Sequence, residues 1–288
     1  MRKPQNRSEN RSENRPEARP AATTKADLSA LLAFAHELAD AAGTAIRPHF
    51  RRAIAVTNKA AAGDFDPVTA ADKAAERVVA RRIAATYPDH GIIGEEYGDR
   101  GDDGQRYRWI IDPIDGTRSF IMGSPLWGTL IGLLDDGAPI LGMMDQPFTG
   151  ERVWADTRAA HWRTADGRTR RIKTRDCASL ADAIVSTTHP DLFAAGAESE
   201  GFFRVKAKAR MTRYGGDCYA YCLLAAGHVD LIVEAGLKAH DIAPLLPILE
   251  RAGAVVTTWD GGSATNGGQV IAAGDARTHA AALRLLRK

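Results

Sequence analysis

The stretch Trp109-Ile110-Ile111-Asp112-Pro113-Ile114-Asp115-Gly116-Thr117-Arg118-Ser119-Phe120 constrains this chain more than any other. Three apolar residues read as a buried strand, expected to stop at Asp112. Pro113 has no N–H to give a sheet and holds the residue before it extended. Ile114 separates the two carboxylates, so they converge only if the backbone turns between them, and Gly116 frees the chain to start a helix at Thr117. Such an oxygen-rich corner suits a hard divalent cation. The N–H groups of Gly116 and Thr117, free at the helix start, could hold a phosphate beside it. The same residues also fit a plain strand-to-helix turn in which Asp115 caps the helix. Both readings stand on this stretch alone.

Before the turn, residues 1 to about 25 repeat Asn-Arg-Ser-Glu with almost nothing apolar and read as a disordered tail. Asp27 is expected to cap a helix in which Leu28, Leu31, Leu32, Ala35, Leu38, Ala39, Ala42 and Ile46 share a face, ending near Pro48. Ala53 to Lys59 is strand-like. Thr69 and Asp72 form a capping-box pattern opening a helix that Pro88 stops. Asp66, held extended before Pro67, has no comparable local duty, although an Asp-Pro turn is the alternative. His90 to Gly98 reads as a short strand ending in Glu95 and Glu96. Adjacent residues of an extended chain point apart, so one glutamate faces the corner and the other is expected to be solvated.

After the turn, the segments around Leu126–Leu134, Ile140–Met144 and Arg152–Trp154 predict antiparallel strands, and 156–176 a polar hairpin or loop. Ala183–Thr188 is a strand followed by His189, which either opens a loop or touches substrate. A helix over Cys218–Ala226 follows, with Asp217 as N-cap under the plainest reading, then a strand to Glu234. Lys238 to Gly253 predicts one helix with Asp241 at its mouth, Pro244 in its first turn and Pro247 kinking it. Two strands and a terminal helix complete the chain.

The chain has 288 residues, 44% of them hydrophobic, enough for one compact unit or two subdomains of about 26–155 and 156–288. A net charge of +2, with no basic stripe interleaved with aromatics, gives nucleic-acid binding little support. No run approaches the roughly 20 apolar residues that cross a bilayer, and the N-terminus lacks an apolar signal core; a soluble, cytoplasmic protein is expected. The three cysteines, Cys177, Cys218 and Cys222, make no disulfide framework, and Cys218 and Cys222 read as core packing on one helix face.

Four separated motifs carry a family resemblance. They are Asp66-Pro67-Val68-Thr69 through Asp72, preceded by Lys59; Gly94-Glu95-Glu96; Trp109 through Thr117; and His240-Asp241 through Gly253, where His240 replaces an aromatic. In this order they resemble the inositol monophosphatase family of magnesium-dependent, lithium-sensitive phosphatases. The resemblance implies an α/β fold, a layered α/β/α/β/α sandwich of the inositol monophosphatase and fructose bisphosphatase type, over 26–288. It implies that Glu95, Asp112, the Ile114 carbonyl, Asp115 and Asp241 hold two or three Mg²⁺ ions. Asp66 and Thr117 would orient the attacking water with Glu95 beside them, Gly116 and Thr117 would hold phosphate, and the protein would be a homodimer.

Gly123–Trp127, Tyr214–Tyr221 and Val233–Lys238 resemble the histidinol-phosphatase members more than the inositol phosphatases. A carboxylate at Asp217 near Glu234, with Asp115, would make an acidic pocket suited to the amine and imidazole of histidinol phosphate, an intermediate of histidine biosynthesis. Other phosphate monoesters of the family, or a non-catalytic metal-binding regulator, are the alternatives.

Overall fold

The computed structural model describes residues 23–59, 67–102 and 104–287. The expected tail falls outside them up to residue 22, as does Asp66.

Helix α1 (Lys25–Ile46) is capped by Thr24, not Asp27. The Thr24 hydroxyl accepts the Asp27 N–H at 3.2 Å, and the Asp27 carboxylate accepts the Thr24 N–H at 3.1 Å. Asp27 is thus the third residue of a capping box, because the cap hydroxyl must stand just outside the first turn to reach it. Strands β1 (Val56–Asn58) and β2 (Pro67–Thr69) form a small antiparallel ribbon, and β2 runs straight into α2 (Ala70–Thr86). The expected box is there: the Asp72 carboxylate accepts the Thr69 N–H at 2.8 Å. Leu31, Ala35, Leu38 and Ala42 of α1 bury against Ala71, Ala75, Val79 and Ile83 of α2. The small residues let the two helices lie close.

Seven strands follow as one sheet in the order of the chain, apart from an intervening helix. They are β3 (Gly91–Gly94), parallel to β4 (Tyr107–Asp115), and, after α3 (Thr117–Met122), the meander β5 (Gly128–Asp135), β6 (Ala138–Gln146), β7 (Glu151–Ala155), β8 (Ala160–Arg163) and β9 (Thr169–Ile172). The polar 156–176 segment is therefore a hairpin within the sheet, with Trp162 buried. The second sheet is mixed. Its strands are β10 (Ile184–Thr187), β11 (Met211–Tyr214), β12 (Leu231–Leu237), β13 (Val255–Thr258) and β14 (Gly268–Ala273), in the order β11-β10-β12-β14-β13. Its helices are α4 (Ala197–Lys206), α5 (Asp217–Ala225), α6 (Ala239–Ile242), α7 (Leu246–Ala252) and α8 (Ala276–Leu286).

Side-chain alternation along the strands separates the layers. Ile131 and Leu133 of β5 face α1 and α2, whereas Leu130 faces Tyr221 and Cys222 of α5 and Leu249 of α7. Ile232 of β12 closes the far side of that middle layer, and Leu231 and Val233 face Phe202 of α4 and Ala282 of α8. The architecture is the expected five-layer α/β/α/β/α sandwich. Cys218 and Cys222 are buried free thiols in its middle layer. Among the described residues no helix is long and apolar enough to cross a membrane.

The single helix expected after Asp241 is two. α6 ends at Ile242, Pro244 lies in the break, and Pro247 sits in the first turn of α7, where its missing N–H breaks no bond. Pro247 therefore starts a helix and does not kink one. The break docks on two glycines, Gly132 and Gly142, which face each other across β5 and β6. A Cβ on Gly132 would stand 2.8 Å from Ile110 Cγ2 and 3.1 Å from Pro244 Cα; one on Gly142 would run into the Pro244 carbonyl oxygen.

Candidate active site

β4 does not stop at Asp112. Asp112 pairs with Leu130 and Asp115 with Gly128, and the irregularity between them absorbs the one extra residue on β4. Pro113 is tolerated because it occupies this bulge, where no ladder N–H is needed. The Pro113 carbonyl instead accepts the Thr129 hydroxyl at 2.8 Å. Within the bulge the buried Asp112 accepts the Ile114 N–H at 3.0 Å, and the Thr117 hydroxyl donates to the Ile114 carbonyl at 3.0 Å. Gly116, at φ 86°, supplies the left-handed residue that turns the strand into α3.

Asp115 does not cap α3. Its Oδ2 accepts the N–H of Cys218, in the first turn of α5, at 2.5 Å. That bond ties the turn to the second half of the chain and brings Asp217 beside it. Asp217 is not the expected N-cap either: Gly216 holds that position, and Asp217 sits at φ 42° with its Oδ2 accepting the Ser119 hydroxyl at 3.2 Å. A Cβ on Gly116 would lie 3.1 Å from Asp217 Cγ.

Glu95 follows β3 and faces the corner. Lys59 donates to Glu95 at 2.9 Å and to Glu96 at 2.8 Å, and the Glu96 side chain is 2% exposed. The expectation of a solvated Glu96 is thus wrong, because a lysine bridges the pair. Burial pushes the Glu96 carboxyl up to about 7. Glu76 of α2, not anticipated from sequence, accepts the N–H groups of Glu96 at 2.7 Å and Tyr97 at 3.0 Å, fixing this acidic turn.

Asp241 completes the corner from α6, accepting the Lys238 N–H at 2.7 Å. Asp112, Asp115 and Asp241 each place an oxygen within 4.8 Å of the others', and an atom of His240 does the same with Glu95 and Asp112. These groups line a cavity of about 310 Å³ with Gly116, Thr117, Asp217, Tyr221 and Glu234. On β12, Glu234 is buried and accepts the Thr188 N–H and hydroxyl, each at 2.8 Å. His189 does not line the cavity; its Nδ1 accepts the Asp191 N–H at 3.2 Å and caps a short turn.

A sequence profile of the inositol monophosphatase family matches residues 27–288. The chain belongs to that family. It is 41% identical over 275 residues to the chloroplastic bifunctional phosphatase IMPL2 of Arabidopsis thaliana, spanning 90% of this chain and 76% of that protein. It is 35% identical over 210 residues to a histidinol-phosphatase of Mycobacterium tuberculosis, spanning 73% of this chain and 80% of the relative. The structure of an inositol monophosphatase from Zymomonas mobilis superposes with a TM-score of 0.79 at 40% identity, covering 90% of this chain and 98% of the other. The chain is a phosphatase of small phosphate esters.

The site of this inositol monophosphatase relative is electrostatically unbalanced. Burial raises Asp112 well above the usual carboxylate range, and the charges of Glu95, Asp115 and Asp241 add to it. Asp115 is raised by burial and then by Asp217 and Asp241. Burial lifts Asp217 to about 6 and Glu234 to about 7. Carboxylates that cost this much to ionise together are what a hard cation with oxygen ligands compensates, so the donor set fits Mg²⁺.

Proposed function

We propose that the protein hydrolyses histidinol phosphate to histidinol and phosphate. The observation that carries this reading is the second pair of carboxylates, Asp217 and Glu234, on the cavity wall beyond the corner of Asp112, Asp115 and Asp241. A neutral polyol offers two buried acids hydroxyl donors alone, whereas an ammonium or imidazolium offers each an ion-paired, charge-assisted bond, so the pocket suits the cation better. Relatives named histidinol-phosphatase in Mycobacterium tuberculosis, Chlorobaculum parvum and Streptomyces coelicolor support it, at 35%, 35% and 34% identity.

In this reading Glu95, Asp112, the Ile114 carbonyl, Asp115 and Asp241 hold two or three Mg²⁺ ions. Bound there, the ions would neutralise phosphate oxygens, acidify the attacking water and stabilise the leaving alkoxide. The chain's own groups do the rest. The N–H groups of Gly116 and Thr117 at the start of α3 orient the phosphate. The Thr117 hydroxyl, held by the Ile114 carbonyl, orients water, with Asp66 joining it by the family resemblance. Water attacks in line, so no residue is phosphorylated.

Asp217→Asn tests the substrate. Asparagine tolerates φ 42° and still accepts the Ser119 hydroxyl, so only the charge is lost. The specificity constant for histidinol phosphate should fall roughly ten- to a hundredfold, the worth of a charged hydrogen bond, while that for glycerol phosphate barely changes. Equal losses on both substrates, or none on either, would remove the case for histidinol phosphate.

A further inference from the structure

The corner is not made of oxygen alone. His240 and Asp241 are adjacent in the first turn of α6, about 100° apart around the helix, and both line the same cavity. The seating of α6 makes this possible. Ala239 and Ala243 pack on Ile110 and Leu134, which lays the start of the helix along β4 with its first turn over the site. The His240 side chain is 12% exposed. One of its ring nitrogens lies within 4.8 Å of an oxygen of Glu95 and an oxygen of Asp112, themselves no further apart. Ligands on opposite sides of one ion stand roughly 4.2 Å apart, so three atoms within 4.8 Å of one another are close enough to meet on one ion.

The plainer role would be a histidine that holds a ligand carboxylate by a hydrogen bond. His240 Nε2 stands 3.4 Å from Asp241 Oδ1, an ion-pair contact when the ring is protonated but longer than a normal hydrogen bond, so the ring is not locked to that carboxylate. Two donor groups therefore share Asp112: one of oxygens from Asp112, Asp115 and Asp241, and one of Glu95, Asp112 and an imidazole. The two ask for different ions. Mg²⁺ prefers oxygen in strict octahedral form, while imidazole suits first-row transition ions, best Zn²⁺, Fe²⁺ or Ni²⁺; Mn²⁺, at the weak end of that series, still accepts an imidazole nitrogen more readily than Mg²⁺ does.

We infer that His240 is a nitrogen ligand of one of the two cation positions, which makes that position selective for a first-row transition ion over Mg²⁺. This rests on the carboxylate cation centre proposed above and adds a ligand and an ion class to it. The His240 ring and the Glu95 carboxylate, from opposite halves of the chain, would hold this ion, with Asp112 common to both donor groups.

The test uses the full-length protein stripped of metal and titrated with Mn²⁺. Electron spin echo spectra of the bound Mn²⁺ should show nitrogen-14 coupling, absent in His240→Phe, which restores an aromatic at this position. In parallel calorimetry, the preference for Mn²⁺ over Mg²⁺ should drop about tenfold or more in the variant, with Mg²⁺ still bound. Stoichiometric Mn²⁺ without nitrogen coupling in the wild type, or coupling that persists in His240→Phe, would overturn the inference and leave the carboxylate centre standing. Absence of binding by either ion would remove both. If the variant fails to fold, imidazole-type coupling in the wild type still reads on His240, the one histidine lining the cavity among the described residues.

Discussion

Asp112→Asn is expected to lower turnover by a thousandfold or more, while the purified variant keeps its fold. Asp112 is the one carboxylate common to both donor groups, so its charge serves each cation. Losing several kcal/mol of charge stabilisation in the transition state corresponds to at least about three decades in rate. The fold should survive because asparagine is isosteric and its side-chain oxygen still accepts the Ile114 N–H. The sign of the stability change follows from burial. A carboxyl whose pKa is raised on folding opposes folding at any pH above its unfolded value, so a neutral amide relieves the metal-free protein. Its thermal midpoint at pH 7 should be at least that of the wild type. Near-normal turnover at saturating Mg²⁺ would show that the turn is structural only.

Gly142→Ala should do the reverse, damaging the fold first. A methyl there meets the Pro244 backbone oxygen and carbon, and Pro247 Cδ at 3.1 Å, so no flexible side chain can move aside. Overpacking of this kind costs about 3 kcal/mol, a fall in midpoint of roughly 6–12 °C. Any relaxation must push out the Pro244 segment and shift α6 with Asp241, so turnover should fall as well. Gly104→Ala, at a position with nothing within 4 Å, is the control and should leave the midpoint unchanged. Equal midpoints for the two variants would mean that the glycine pair does not seat the break.

What the sequence shows plainly is what neighbours in the chain decide. The Thr69 and Asp72 box, the β5–β7 meander and the turn that brings Asp112 and Asp115 together all follow from short-range spacing around prolines and glycines, while Glu95 is chosen over Glu96 by the family resemblance. What it hides is decided far away. Pro247 signals a kink near Pro244, but an outright break there depends on Gly132 and Gly142, about a hundred residues earlier, which leave room for the Pro244 backbone. Asp115 looks like the cap of the helix it precedes, and only the folded chain shows it capping α5 through Cys218 instead. Glu96 looks solvated because its partner Lys59 belongs to another motif. His240 was visible as a departure from an aromatic, but its position over Glu95 depends on how α6 lies along β4.

The bond from Cys218 to Asp115 makes one carboxylate the junction between the strand that begins the site and the helix layer that completes it. Around that junction stand acids from both sides, Glu95 just after β3 and Asp112 on β4, Asp217 and Asp241 from the helices beyond. Without counter-ions these acids push apart the layers that the core holds together. A cation bound among them is therefore a cross-link as well as a reagent, and its binding free energy is added to the stability of the folded chain, about 2.7 kcal/mol at a hundred times the dissociation constant. A chelator should then do more than stop turnover: it should lower the temperature at which the chain melts and open the seam between its layers to proteases.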